Sequence, residues 1–398
     1  MPWEVTEPVK ERQRLIQAYV AGRYTLSELA EDFGVSRKTA HKWLRRYAEA
    51  GPAGLTDRPH AACSHPNATP AAVVAAVIRA KGAHPTWGPL KLLPTPADPP
   101  EVRAAWPAPS TRGAILARAG LTQQRRRRRR VPPSSQPFSA CDRPNALWCA
   151  DFKGWFRTQD GQRCDPLTIS DAYSRMLLCC QALARPDYAH VRPAFEAVFR
   201  QYGLPEAIRT DNGPPFASVA VGGLSPLAVW WVKLGIQPER IAPGHPEQNG
   251  RHERMHRTLA QDCCRPPAAT LVAQQQDFDA FGQTFNGQRP HQALGLRPPA
   301  TLYRPSPRPY PARLADPLYP AAALIRRVRS NGEIRWRGKL VFLSEALIGE
   351  AVGISETLIG YEVHFGPIML GELDAKGERL LRPGEGNFKR GTVTHPPG

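Results

Sequence analysis

The sequence predicts a chain of several domains: an all-α beginning, an α/β centre and a small all-β end. Three observations carry that reading. The chain has 398 residues, too many for one ordinary domain. Stretches rich in proline and arginine interrupt it at residues 123–139 and 301–318. Between these breaks the hydrophobic spacing changes, from helical before the first, to mixed, to short strands after the second.

Within residues 1–50, "KERQRLIQAYVAG" carries an apolar stripe at Leu15, Ile16, Tyr19 and Val20. In "TLSELAEDFGVSRKTAHKWLRRY", Thr25 or Ser27 can cap one helix, Gly34 makes a turn, and Ser36 caps a second helix. That second helix should bury Ala40, Trp43 and Leu44. It should present Arg37, Lys38, His41, Lys42, Arg45 and Arg46 to solvent. Helix, tight turn and basic helix form the helix-turn-helix pattern, whose basic face meets DNA.

Residues 51–122 read as a second helical, helix-turn-helix-like DNA-binding domain. "TPAAVVAAVIRAKG" forms one capped helix and "PSTRGAILARAGL" another, with Ser110 as its cap. A short helix is expected after Trp87 and Gly88, limited by Pro89 and Pro94. The six arginines and following Pro and Ser of residues 123–139 cannot build a core and read as a tether able to lie along phosphates.

Residues 140–300 give the order βββαβαβα, a mixed sheet with helices. "NALWCADFKGWF" is a strand, and "CDPLTISDAYSRMLLCCQAL" is two strands about Tyr173–Ser174. "PDYAHVRPAFEAVFRQYG" is a helix ended by Gly203, "PEAIRTDNG" a short strand, and "SPLAVWWVKLG" a helix. "IQPERIA" is a strand, and residues 246–264 form a long polar helix. Residues 301–318 read as a second linker. Residues 319–383 read as a small β-barrel with a "SNGE" hairpin, gripping phosphate through Arg326, Arg327, Arg329, Arg335 and Arg337. Residues 384–398 read as a disordered tail.

Composition narrows the function. The formal net charge is +18. That favours a polyanionic partner, nucleic acid ahead of anionic membrane. With no apolar run of about eighteen residues and no signal-peptide pattern at the start, the chain reads as soluble and cytoplasmic. The eight cysteines form no CxxC pair. They read as reduced, mostly buried thiols, and His60, Cys63 and His65 make poor evidence for a metal site.

Three acids then stand out. Asp151 lies inside an apolar strand, where a carboxylate is costly unless ligated or paired. Asp211 ends the strand "AIRTD", where an α/β sheet opens onto a site. Either Glu247 or Glu253, in "GHPEQNGRHERMHRTL", can supply a third. Converging carboxylates repel unless cations fill the site. Hard divalent ions suit them, with Mg²⁺ preferred because it combines carboxylates with phosphate oxygens. Two such ions about 4 Å apart would support an in-line phosphoryl displacement.

"LWCADFKGWF", "IRTDNGPPF", "PGHPEQNGRHERMHRTL" and "FNGQRPHQALGLRPPATLY" closely resemble the DDE transposases and integrases of bacterial insertion sequences. The resemblance covers residues 142–310. It implies a ribonuclease H-like core like that of retroviral integrase, and metal-dependent cutting of element ends with joining of 3′-hydroxyls to target DNA. Mg²⁺ would be the cofactor, Mn²⁺ a substitute. The family's glutamate lies in N-G-x-x-E-R, which here is Asn249, Gly250, Glu253 and Arg254. The implied catalytic and metal-binding set is therefore Asp151, Asp211 and Glu253, with Asn249, His256 and Arg257 meeting double-stranded DNA. The Asp211–Glu253 interval is longer than the family's compact spacing, and the extra residues fall in "ASVAVGGLSPL". Asp171 reads as part of a strand-turn structure. Two alternatives stand beside the transposase: a domesticated, non-catalytic sequence-specific DNA-binding protein, and a nuclease without strand transfer. Joining two ends needs two sites, which implies a homo-oligomer on DNA.

Overall fold

The computed structural model describes residues 7–58, 67–122, 141–218, 221–241, 250–358, 360–374 and 376–382. The first linker, the His60–Cys63–His65 group, Glu247, Asn249 and the tail lie outside them. The chain divides into two compact units, residues 1–69 and 70–398.

In the first unit, α1 (Pro8–Val20), α2 (Leu26–Asp32) and α3 (Arg37–Ala50) close with a 3₁₀ turn, Gly51–Leu55. Thr25 caps α2 in a reciprocal box with Glu28, and Ser36 caps α3. Each cap satisfies donors that a helix start leaves open. Gly34 turns at φ +62°. Leu15, Ile16, Ala30, Ala40, Trp43 and Leu55 form the core. Tyr19 and Val20, expected on the apolar stripe, are exposed. The residue after the turn's Ala53 must be glycine, because a Cβ on Gly54 would lie 2.1 Å from the Arg46 carbonyl oxygen.

The second unit begins with α4 (Ala71–Ala83), α5 (Pro100–Ala104) and α6 (Pro109–Arg118). No side chain caps α4. Helix α6 starts at Pro109, ahead of the expected cap Ser110, because proline is already set for the first helical position. The helix expected after Gly88 is replaced by turns, and the short α5 follows the proline run. Buried Arg112 and Trp106 both donate to the Leu92 carbonyl, at 2.6 and 3.0 Å, and so hold this irregular stretch in place.

The central strands are β1 (Leu147–Phe152), β2 (Phe156–Arg157), β3 (Arg163–Asp171) and β4 (Leu177–Leu183). Helix α7 (Tyr188–Tyr202), β5 (Ala207–Thr210), α8 (Pro226–Lys233), β6 (Gln237–Arg240), α9 (Gly250–Cys263) and α10 (Leu271–Gly287) complete the core. The sheet order is β4-β3-β1-β5-β6, with β2 pairing the start of β3. The pairs β1–β3 and β3–β4 are antiparallel, while β1–β5 and β5–β6 are parallel. This is the expected mixed sheet. One face carries Trp148, Ala150, Leu167, Ile169 and Ile208 against α7 and α8, whose Phe195, Phe199, Trp230 and Trp231 fill the core. The other face carries α9 and α10, with Met255, Leu259, Phe278, Phe281 and Phe285 over β3 and β4. Burial there pushes the Cys164 thiol up to about 12 and Cys264 to about 11.

The stretch expected as a second linker is packed onto the core. Tyr303 is buried and donates to Asn145 Oδ1 at 2.9 Å. The Arg308 guanidinium donates to the carbonyls of Pro205, Leu234 and Gly235.

Beyond it come β7 (Leu324–Arg327), β8 (Glu333–Trp336), β9 (Lys339–Phe342), β10 (Ala351–Thr357), β11 (Gly360–Phe365), β12 (Ile368–Leu373) and β13 (Leu380–Leu381). They do not close into the expected barrel. The strands β7, β10, β11, β12 and β13 make one open sheet, and β8–β9 a separate hairpin. The "SNGE" turn forms, with Gly332 at φ +79°, but it joins strands of different sheets. The tight hairpin is instead at Arg337–Gly338, both at positive φ, as a two-residue type I′ turn requires. The core of these sheets also takes in Val229 and Val232 of α8 with Val221 and Leu224. A helix and loop of the central α/β domain pack against these sheets. The extra residues before α8 therefore have a packing role.

Candidate active site

Side chains alternate across a strand, so Cys149 and Asp151 share the face of β1 opposite Trp148 and Ala150. Asp151 is partly buried and pairs across the antiparallel ladder with Thr168. Cross-strand partners lie on one face. On the other side, β1 and β5 run parallel in the register Leu147–Ala207, Trp148–Ile208 and Cys149–Arg209. Continued at the same offset, that register would set Asp211, the first residue past β5, beside Asp151 and on the same face. The Asp211 carboxylate accepts from the Gly213 backbone N–H at 3.2 Å. A Cβ on Gly213 would lie 3.1 Å from Asp211 Oδ2, so the glycine leaves that carboxylate room.

Helix α9 covers this face through a polar seam. Thr168 Oγ1 lies 2.7 Å from both His252 Nε2 and His256 Nε2, and 3.1 Å from the Asp151 carbonyl oxygen. A hydroxyl has one proton and two lone pairs. Donating to the carbonyl, it accepts from both rings, which fixes both histidines as Nε2–H tautomers. His252 Nδ1 is then free to accept from Ser170 Oγ, 3.4 Å away. The two rings meet edge to face at 4.9 Å. Burial holds both below the usual range, His252 at about 4 and His256 at about 2. Both are neutral at pH 7.

Glu253 follows His252 in the first turn of α9 and is exposed, as is Arg257. His256, expected to meet phosphate, turns inward to Thr168; one more step of the helix separates it from the face of Arg257. Among the described residues no three Asp, Glu, His or Cys side chains lie close enough together to hold a metal. Asp171 is fully buried and structural. It accepts from the backbone N–H of Asn145 and Ser174 and from the Ser174 hydroxyl, at 2.8, 2.7 and 2.6 Å.

In the first unit, Arg37, Lys38, His41, Lys42 and Arg45 are exposed along α3. Arg46, expected beside them, is buried with its guanidinium 5.0 Å from the Trp43 ring. The sequence reading missed Thr168, Ser170 and His252. Their signal was present as histidines four apart on a helix and hydroxyls two apart on a strand.

Comparison with known proteins bears on both regions. Residues 142–246 and 234–299 match two models described as integrase core domains. Residues 11–62 match a helix-turn-helix domain and 39–107 a homeodomain-like domain. An uncharacterized 39.2 kDa protein of insertion element IS476 from Xanthomonas euvesicatoria is 30% identical over 42% of this chain and 46% of that protein. A 31.7 kDa protein of insertion element IS407 from Burkholderia multivorans is 29% identical over 39% of this chain and 54% of that protein. The chain thus spans about half the length of these relatives. Among solved structures, the HTLV-2 integrase catalytic core domain in complex with magnesium is 16% identical, covering 41% of this chain and 98% of that one, with a TM-score of 0.31. The chain thus carries an integrase core at residues 142–299 behind helix-turn-helix domains and has insertion-element proteins among its relatives, which is consistent with the transposases and integrases of bacterial insertion sequences.

Proposed function

We propose that the protein is a metal-dependent DDE polynucleotidyl transferase with a ribonuclease H-like core, which cleaves DNA at element ends and joins the 3′-hydroxyls to target DNA. What supports this reading is the β1–β5 register, which, continued past Cys149–Arg209, would bring Asp211 beside Asp151 under the helix that bears Glu253. The donor set fits Mg²⁺ or Mn²⁺. Such ions take one or two carboxylates and complete their shell with phosphate oxygens. Bound there, the ions would activate the attacking oxygen and stabilise the leaving one. Asp151 and Asp211 would supply the first ligands and Glu253 the next. The neutral histidines and Thr168 would hold α9 to the strand of Asp151. The helix-turn-helix face at Arg37, Lys38, His41, Lys42 and Arg45 would bind element ends, and Asn249 and Arg257 would meet DNA near the site. Two ends require two active sites, so the working form is a homo-oligomer on DNA. Among the described residues no helix is long and apolar enough to cross a membrane. A cytoplasmic, nucleoid-associated location follows from the substrate.

The test is a strand-transfer assay on the element's own terminal DNA with Mg²⁺ or Mn²⁺, comparing wild type with Glu253→Gln and Glu247→Gln. Loss of joining in Glu253→Gln alone, with DNA binding retained, supports the transferase. A wild type that binds DNA but neither cuts nor joins supports the non-catalytic DNA-binding protein. Light scattering of the DNA complex tests the oligomer, and a single protomer per complex would refute it.

A further inference from the structure

A cavity of about 350 Å³ opens on the same face of the sheet, beside α9. Its wall gathers Lys91, Arg175, Arg254, Arg289 and His291. These come from separate places: the turn after α4, the β3–β4 turn, α9, and the loop after α10. Like charges brought together from four segments repel one another in a partly desolvated space unless an anion answers them. Two carboxylates stand near the wall. Asp171 is already engaged by three hydrogen bonds, and Asp262 lies 3.8 Å from Arg289 Nη1. Arg289 is itself buried, and it donates to Thr258 Oγ1 at 3.3 Å. The buried Nε2 of His291 has no hydrogen-bond partner among the described residues. Burial first, then Lys91, Arg289 and Arg175, hold that imidazole down at about 4.

The cavity's position identifies its ligand. Cys149 and Ser170 line it and are cross-strand partners. They stand two residues along their strands from Asp151 and Thr168, on the same face. At about 3.3 Å per residue that is roughly 7 Å from the carboxylates. One strand of DNA advances about 3.4 Å per nucleotide, so a phosphate in the cavity belongs within a step or two of a phosphate at the acids.

We propose that this cavity binds one backbone phosphate of the DNA strand engaged at Asp151 and Asp211, through Arg254, Arg289, Arg175 and Lys91. It gives a role to the "QRPH" segment, which the proposed chemistry leaves unused. The proposal rests on the DNA-transferase reading and adds a subsite to it.

The test uses the full chain and a mixed-sequence DNA duplex, with affinity measured against salt by fluorescence anisotropy. Each phosphate neutralised contributes about 0.9 to the slope of log K against log salt. Arg254→Gln and Arg289→Gln should each lower the slope by about that amount. The double variant should lose no more than either single one, because both act on one phosphate. Arg200→Gln, exposed on α7 and outside the cavity, should leave the slope unchanged. Arg254 is exposed, so its variant keeps the test valid if Arg289→Gln melts early. A wild-type slope in both single variants overturns the proposal, as does a double variant losing twice as much. Affinity for inorganic phosphate that falls in the variants while the DNA slope does not would assign the cavity to a free anion and also overturn it. Strand transfer is scored separately. A slope that falls as expected in a protein that never joins DNA sinks the transferase reading and leaves the cavity as a DNA site.

Discussion

The two faces of the central sheet follow different rules. Toward α7 and α8 the strands present Trp148, Ala150, Leu167, Ile169 and Ile208, which meet Phe195, Phe199, Trp230 and Trp231 in a dry aromatic core. Toward α9 the same strands present Asp151, Thr168, Ser170 and Arg209, and Asp211 follows at the end of β5. There Arg209 pairs with Glu239 at 3.0 Å, both largely buried, and Thr168 is shared by two histidines. A polar group in such a position costs free energy unless it is satisfied. Thr168, Ser170, both histidines and Arg209 are each engaged by a named neighbour, and the acids are proposed to hold metal and meet DNA. The apolar face fixes the fold, and the polar face spends some stability on chemistry.

The sharpest way to break that contrast is to mutate both faces and read stability and activity together. Asp151→Asn, Asp211→Asn and Glu253→Gln should each lower strand transfer by roughly a thousandfold or more, because metal-assisted stabilisation is worth several kcal/mol. Their urea midpoints should stay at or above that of wild type. A carboxylate variant that still joins DNA at near the wild-type rate would remove that residue from the site.

The opposite profile is expected on the apolar face. Phe199→Ala or Trp231→Ala, at fully buried positions, should cost about 3–5 kcal/mol of unfolding free energy. Activity measured on the fraction still folded should change little. Between these extremes lies the seam. Thr168→Val strands two Nε2–H donors, and should cost about 1–3 kcal/mol. Thr168→Ser keeps the hydroxyl and should recover most of that loss, along with whatever strand-transfer rate was lost. Equal behaviour of valine and serine at 168 would show that the hydroxyl is not the tie between α9 and the strand of Asp151.

The two faces were also unequally legible in the sequence. The apolar strands and helices declare themselves through spacing, and so do local devices such as the Ser36 cap and Gly203. The acids could be singled out because a carboxylate among apolar residues is unusual. What could not be read depends on register and packing. Whether His256 faces DNA or Thr168 is decided by how α9 lies on β3. Arg46 reads as one more charge on a basic helix until Trp43 is placed beneath it. Helix α10 was missed because "LVAQQQDFDAFGQTFNG" mixes polar and apolar residues without a clean stripe, and even Gln274 is buried there, donating to the Cys263 carbonyl at 2.8 Å. The barrel failed for a similar reason: seven short strands do not reveal that a valine-bearing helix of another domain will pack against them.

The smallest expected effect tests the polar face by its protons. His252, His256 and His291 are held neutral by burial, at about 4, about 2 and about 4. In the unfolded chain each returns to about 6.5. As pH falls below that value the unfolded state takes up protons that the folded state refuses, so stability is full above about 6.5 and declines toward 4. One histidine's share between pH 7 and pH 6 is under about 1 kcal/mol. His291→Gln removes one such share, and its urea midpoint should therefore fall less than that of wild type over that interval. Parallel declines in the two proteins would mean that His291 takes up its proton in the fold as readily as in the unfolded chain. The walls of the cavity it lines would then already be compensated, and the contrast between the two faces would be weaker than the buried histidines make it.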